Sequence, residues 1–363
     1  MKTVLKIPNY IVSIDPYSPG KPLKELEREY GISDSIKLAS NENPLGPSPK
    51  AVEAVKEALG QLNRYPDGRG YDLIRKISQS LEIGHENIVL GNGSDEIIGL
   101  LAKALLQVGD EVIVPWPSFL MYDIMVRSVG AIPAYVPLND SLCIDLESIQ
   151  NRITPKTRMV FLCNPNNPTG TIFSKADFEK FLENIPNIIV VVDEAYIEFV
   201  QDRTCAHGID YLNSDIMVVT LRTFSKVYGL AGIRIGYGVM PQIIANLVNR
   251  IRPPFNANSL AQAAAKAALE DKEFFQKTMD LVKEGMSFLF DSLRRMGIEY
   301  FPSQANFFLI NVKKNADEVF EKMLRQGVIV RSMKAYGYPE YIRINVGLPD
   351  ENIRFIKALE KVI

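Results

Sequence analysis

The sequence predicts an α/β protein of two units, a large domain with a mainly parallel sheet flanked by helices and a smaller α+β domain behind it. Three observations carry this expectation. The chain has 363 residues, more than one ordinary core needs and about right for one large domain with a companion. Short apolar, β-rich runs alternate with helically patterned segments from about Ser40 to Arg252. The alternation then breaks at Pro253-Pro254, where neither proline fits a helix interior or a central strand.

Taken in order, residues 1–39 are rich in proline and lack periodicity before Leu23–Tyr30, which reads as an N-terminal arm together with part of the small domain. Residues 40–252 form the expected large domain. Its strands are Ile88–Leu90, Val112–Val114, Met159–Leu162, Ile188–Val192, Ile216–Thr220 and Ile233–Val239. Between them Asp95–Leu106, Lys175–Glu183 and Pro241–Arg250 carry helical spacing of apolar residues. Residues 253–363 form the small domain: long helical material over Ala261–Arg295, short strands at Phe307–Val312, Val328–Val330 and Tyr341–Asn345, and a closing helix from Asp350.

Composition narrows the function classes. Hydrophobic content of 47%, charged content of 23% and a formal charge of -2 give no basic face for nucleic acid, so small molecules are the expected partners. Cys143, Cys163 and Cys205 are widely spaced and free of any C-x-x-C pattern, which supports neither disulfides nor zinc and fits a reducing cytoplasm. No segment reaches the roughly 18 apolar residues of a membrane span. His85 and His207 are too far apart for an H-E-x-x-H site, and no metal is expected.

Four stretches carry chemistry. Thr223-Phe224-Ser225-Lys226 follows a buried-type strand, which aims the lysine at the carboxyl edge where open α/β sheets bind ligands. An isolated lysine is more often a snorkelling surface residue. Here two hydroxyls flank it and Arg234 lies eight residues on, a set that suits a phosphate. Gly91-Asn92-Gly93-Ser94-Asp95 runs from a strand into a helix and offers free N–H groups to an anion, though Ser94 could equally be a plain N-cap. A dinucleotide fingerprint is disfavoured because Glu96 stands where the third glycine belongs.

Strand Ile189–Val192 delivers Asp193-Glu194-Ala195-Tyr196, and a buried carboxylate there requires a partner. Opposite a pyridine nitrogen, Asp193 would keep that nitrogen protonated and the ring able to absorb electrons. The competing reading, a magnesium-binding strand end, lacks an accompanying G-x-x-x-x-G-K-[ST]. Asn164-Pro165-Asn166-Asn167-Pro168-Thr169-Gly170 follows strand Met159–Leu162 and by itself could be a simple turn. Order lifts it: glycines, Phe119 as a ring-stacking candidate, this turn, the acid and the lysine all follow strand ends, so one cleft could gather them.

In this order and spacing, N-P-x-N-P-T-G, D-E-A-Y, S-K and the arginine eight residues beyond resemble fold-type I pyridoxal-5′-phosphate (PLP) enzymes, specifically the histidinol-phosphate aminotransferase family, over essentially the whole chain. The resemblance implies that Lys226 binds the cofactor as a Schiff base, Asp193 pairs its pyridine nitrogen, Asn167 and Tyr196 contact its 3′-oxygen and Phe119 stacks on its ring. Most relatives carry tyrosine at that last position; phenylalanine keeps the stacking face and lacks the hydroxyl. It further implies a phosphate cup of Gly93, Ser94, Asp95, Thr223, Ser225 and Arg234. Tyr65 matches a tyrosine that relatives send into the neighbouring subunit's phosphate site, which implies a homodimer with shared sites.

For the substrate, Asn41-Glu42-Asn43-Pro44-Leu45-Gly46-Pro47 resembles a segment lining the substrate side of the cleft in that family, and it nominates Asn43. Arg343 matches the arginine that grips an amino acid's α-carboxylate, and Arg331 one used for the substrate's phosphate or glutamate's distal carboxylate. Tyr17 is a further candidate from the arm. The expected reaction moves an amino group between histidinol phosphate and 2-oxoglutarate. Three alternatives stand beside it: an aromatic amino-acid aminotransferase, a threonine-phosphate decarboxylase and a PLP-binding regulator without catalysis.

Overall fold

The computed structural model describes residues 6–17 and 20–363; residues 1–5, 18 and 19, part of the expected arm, lie outside the described residues. Among the described residues the strands form three sheets. The first strand, β1 (Ile36–Lys37), precedes the seven that build the large sheet: β2 (Ile88–Gly91), β3 (Glu111–Trp116), β4 (Ile132–Pro137), β5 (Thr157–Cys163), β6 (Ile189–Asp193), β7 (Met217–Thr223) and β8 (Gly236–Val239). They lie in the order β2-β8-β7-β6-β5-β3-β4, parallel except where β8 runs against β2 and β7.

Uninterrupted apolar strands make sense once both faces of this sheet are covered. Val112, Val114, Met159, Phe161, Val191 and Val219 face one core with helices Ser94–Leu105, Leu120–Ser128 and Gln242–Ile251. The alternate residues Ile113, Val160, Leu162, Val190, Val192 and Val218 face the other core with helices Leu146–Arg152 and Lys175–Glu183. A period of two between two buried layers is what a central parallel sheet demands. β4 escapes the sequence reading because Pro133 and Pro137 lack N–H donors; it forms at the sheet edge, where such gaps are tolerated.

Several expectations change. The strand expected over Ile233–Val239 begins only at Gly236, after a tight turn over Ala231–Ile233 and a left-handed Arg234 at φ 58°. The helical stretch over Ala261–Arg295 is two helices, Ser259–Ala268 and Lys272–Arg295, parted by Asp271, whose carboxylate caps the second by accepting from the Phe274 amide. Packing also continues past Pro253-Pro254: Ala257, Ala261, Ala264, Ala265 and Ala268 share a cluster with Phe224, Ile235 and Tyr237 of the large sheet's side.

Beyond Asp271 the chain packs into a further core, which also takes in Tyr196, Phe199 and Val227 of the large-sheet side. Strands β9 (Glu299–Phe301), β10 (Phe307–Asn311), β11 (Val328–Ile329), β12 (Arg331–Ser332) and β13 (Tyr341–Asn345) follow, with β12-β13-β10-β9 forming an antiparallel sheet. The expected strand Val328–Val330 divides: β11 pairs with β1, and Arg331 crosses into the sheet of β13. Leu26 and Ala39 pack with Leu324 and Ile329, so the early chain rests on this second core. No helix among the described residues is long and apolar enough to cross a membrane.

Candidate active site

Parallel strands in register bring the chemistry to one level. Cys163, Asp193 and Leu221 lie side by side across β5, β6 and β7, so the residues after each strand emerge together at the carboxyl edge. A cavity of about 230 Å³ opens there, closed on its other sides by the 39–42 segment and by Arg331, Tyr336 and Arg343 of the second unit.

One end is an anion cup built by backbone. β2 passes through Gly93 at φ 82° into helix Ser94–Leu105, whose start has no side-chain cap. A Cβ on Gly93 would lie 2.3 Å from an Arg234 nitrogen, and one on Gly236 would lie 2.6 Å from the Ser94 amide nitrogen. These glycines let the guanidinium and the helix start close on the same space. Arg234 donates from Nη1 to the Ser225 hydroxyl at 3.3 Å and from Nη2 to an Asp95 carboxylate oxygen at 3.3 Å. Its left-handed backbone explains the delayed start of β8: the bend turns the side chain towards the cup. Ser94, Asp95, Thr223, Ser225 and Arg234 line the cavity, with Gly93 directly behind Arg234.

Lys226 lines the middle, its Nζ 5.4 Å from the centre of the Tyr196 ring. Burial, helped by the field of Arg343, pushes its amine down to about 8, so far more of it is neutral near physiological pH than of an ordinary lysine. Asp193 is buried at the end of β6, and burial pushes its carboxyl up to about 6. The Tyr122 hydroxyl, donating to its Oδ2 at 2.7 Å, opposes that shift, and the Ala195 amide donates to its Oδ1 at 3.2 Å. A carboxylate accepts up to about four hydrogen bonds, so lone pairs remain for a donor in the cavity. Phe119 also lines the cavity and packs edge-on against Tyr122.

At the far end, Arg343 is buried and donates from Nη1 to the Asn167 side-chain oxygen and from Nη2 to the Ala39 carbonyl at 2.9 Å. Its Nε has no hydrogen-bond partner among the described residues. Arg331 stands directly across from it in the β12–β13 ladder. Burial first, with the Arg331 charge adding to it, lowers the proton affinity of Arg343. An entering carboxylate or phosphate would relieve both costs. Tyr17 lines the same end of the cavity.

Thus Tyr17, Ser94, Asp95, Phe119, Asn167, Asp193, Tyr196, Thr223, Ser225, Lys226, Arg234, Arg331 and Arg343 meet around one space, Gly93 stands just behind Arg234, and the candidates Asn43 and Tyr65 lie elsewhere. Asn43 turns away from it and donates to the Val227 carbonyl at 2.9 Å and the Thr278 hydroxyl at 3.0 Å, bracing the chain just after Lys226. Tyr65 is 82% exposed and stacks on Phe255, outside the cavity of its own chain. Sequence reasoning missed Asn41, which donates to the Tyr196 hydroxyl at 3.0 Å from a left-handed backbone at φ 54°. It also missed Tyr122 and Tyr336. The asparagine-rich 41–47 segment signalled the region but not which side chain turns inward, and an aromatic three residues after Phe119 was the only trace of Tyr122.

Comparison with known proteins identifies the family. The family model described as aminotransferase class I and II matches residues 33–359. The chain is 48% identical over 359 residues to a histidinol-phosphate aminotransferase of Desulfotalea psychrophila, covering 98% of this chain and 94% of that one. It is 46% identical over 353 residues to histidinol-phosphate aminotransferase 2 of Carboxydothermus hydrogenoformans, covering 97% of each. Among solved structures it is similar to the histidinol-phosphate aminotransferase of Sinorhizobium meliloti in complex with pyridoxal-5′-phosphate, with a TM-score of 0.91, 26% identity, and 99% of this chain and 98% of that chain covered. With the fold, the clustered residues and these likenesses together, the chain belongs to the aminotransferase class I and II family, in its histidinol-phosphate aminotransferase group.

Proposed function

We propose that this aminotransferase uses PLP to exchange an amino group between histidinol phosphate and 2-oxoglutarate, giving imidazole-acetol phosphate and glutamate in histidine biosynthesis. The observation that carries the reading is one cavity with two separate cationic ends, Arg234 in the cup and the opposed pair Arg331 and Arg343. Two ends suit a phosphorylated cofactor and, beside it, a substrate with an anion of its own.

The residues present fit PLP. The glycine cradle at Gly93 and Gly236 brings an uncapped helix start, the Ser94, Thr223 and Ser225 hydroxyls and Arg234 to one space, a donor set suited to a phosphate. When bound, the cofactor supplies an electron sink for the substrate's Cα–H bond. Asp193 would hold the ring nitrogen's proton, Phe119 would cover a ring face, and Asn167 and Tyr196 would donate to the ring's 3′-oxygen. Lys226 would hold the cofactor at rest and then move the proton at Cα. Arg343 would take the amino acid's α-carboxylate, Arg331 the substrate phosphate or glutamate's distal carboxylate, with Tyr17 beside it.

Only the neutral amine attacks a carbonyl, so the lowered proton affinity of Lys226 has a measurable sign. The rate at which cofactor-free protein gains visible absorbance on adding PLP should rise with pH and level off above about 8. A rise continuing to the range of an ordinary lysine would contradict the burial argument.

We further propose a homodimer working in the cytoplasm, with Tyr65 of each chain completing the partner's cup. Its support is the exposed Tyr65–Phe255 stack, with ring centres 4.7 Å apart, and the exposure of Leu62 and Tyr71 close by in sequence. Mixing inactive Tyr65→Ala and Lys226→Ala chains should restore activity above either parent, because some mixed dimers keep one intact site. No recovery from a mixture shown to exchange subunits would reject sharing. The substrate itself is tested by turnover of histidinol phosphate, phenylalanine and tyrosine with 2-oxoglutarate, together with carbon dioxide release from threonine phosphate. Preference for the aromatic amino acids, or carbon dioxide release, would replace the proposed reaction.

A further inference from the structure

Tyr122 touches two residues of the cavity wall, Asp193 and Phe119. Its side chain is fully buried, with its ring lying parallel to Phe161 at 4.7 Å and 6°. Fixed in that stack, the hydroxyl donates to Asp193 Oδ2 at 2.7 Å. The same ring receives Phe119 edge-on, at 5.6 Å and 87°. Asp193 and Phe119 both face the cavity, and Tyr122 lies behind the two of them.

We propose that Tyr122 is the positioning residue for the cofactor's ring: its hydroxyl holds Asp193 in place and ionised, while its ring braces Phe119, so one buried side chain sets both groups. This rests on the reading that the cavity binds PLP. The chemistry of the surroundings makes the hydroxyl necessary. Asp193 is out of water, and the charged groups acting on it are Asp95, from the start of helix Ser94–Leu105, and its neighbour Glu194, both of which disfavour its ionised form. Cys163, at the end of β5, and Tyr196 also lie in its field, and burial holds each of them in the neutral form. Among these groups Tyr122 is the side chain that donates a hydrogen bond to the carboxylate. Hydrogen bonding to the charged form favours it, and a fully buried donor cannot be replaced by bulk water.

The two contacts separate by substitution. Tyr122→Phe keeps the ring and its stack and removes the donor, whereas Tyr122→Leu removes the brace as well. The measurement is the dissociation constant of PLP from cofactor-free protein as a function of pH, with no turnover involved. Binding that needs an ionised Asp193 weakens as pH falls through the range where that carboxyl takes its proton, about 6 in the unmodified chain. In Tyr122→Phe the weakening should begin roughly one to two pH units higher, the shift that matches loss of a hydrogen bond to a charged acceptor. The phosphate's own ionisation, near pH 6, acts alike on every variant and cancels in the comparison. Tyr122→Leu should bind more weakly at every pH, with the same displacement. In an Asp193→Asn background, adding Tyr122→Phe should leave the profile unchanged.

A Tyr122→Phe profile that superimposes on the unmodified one, or a shift that persists in the Asp193→Asn background, overturns the proposal. Unchanged binding in Tyr122→Leu overturns the brace. If Asp193→Asn alone behaves like the unmodified chain, the assignment of Asp193 to the ring fails, a result distinguishable from failure of Tyr122. Unmodified protein that binds no PLP at any pH overturns the cofactor reading and this inference with it.

Discussion

Lys226→Ala should bind PLP without the visible absorbance of a covalently held cofactor and should lose transamination by roughly 10³-fold or more, towards the upper end of what a positioned proton-transfer group contributes. The substitution removes two functions at once, the resting attachment and the group that moves the proton at the substrate's Cα. It leaves the cup intact, because Asp95, Ser225 and Arg234 make their contacts without Lys226. Absorbance titration and steady-state turnover on the same sample separate the two effects. Full turnover in Lys226→Ala would remove this lysine from the mechanism, and loss of all PLP affinity would mean that the cup does not hold the phosphate by itself.

The same residues mark how far sequence carries. Strands β5, β6 and β7 announced themselves because a sheet buried on both faces needs continuous apolar runs, and the residues just past each run are then bound for the cavity. Asp193, Asn167 and Lys226 were legible for that reason. Asn41 and Tyr122 were not, since each enters through a choice that local pattern leaves open. Asn41 depends on a left-handed backbone in a loop, and Tyr122 on which side of a short helix meets Phe161. β4 was hidden by its two prolines, which suit an edge and argue against a strand when read from sequence alone.

Long-range register explains the rest. Nothing near Arg331 in sequence says that Ile329 ends one pairing and Arg331 begins another, yet this switch from β11 to β12 sets Arg331 opposite Arg343. Asn43 shows the converse: a motif nominated it for the cleft, and the fold spends its amide on Val227 and Thr278. Its expected contribution is then to the geometry of the segment after Lys226, with no direct contact to substrate.

The opposed arginines give the sharpest test of substrate. Arg331→Ala should weaken the histidinol phosphate half-reaction by roughly 10–150-fold, the equivalent of losing one charge-assisted contact of about 1.5–3 kcal/mol. Phenylalanine or tyrosine, with no phosphate, should be spared in the same variant. Arg343→Ala should show the reverse pattern, because histidinol phosphate has no carboxylate while glutamate and the aromatic amino acids all do. Arg343 also donates to Asn167 and Ala39, so its loss should disturb the cavity wall and cost histidinol phosphate something as well, though less than glutamate. The two half-reactions must be followed separately in single turnovers, since Arg331 could also meet glutamate's distal carboxylate and would then depress a coupled assay from both sides. An Arg331→Ala enzyme whose histidinol phosphate half-reaction matched the unmodified one would withdraw the phosphate from Arg331. The paired cationic end would then favour an amino acid carboxylate, and an aromatic aminotransferase would become the better reading of this cavity.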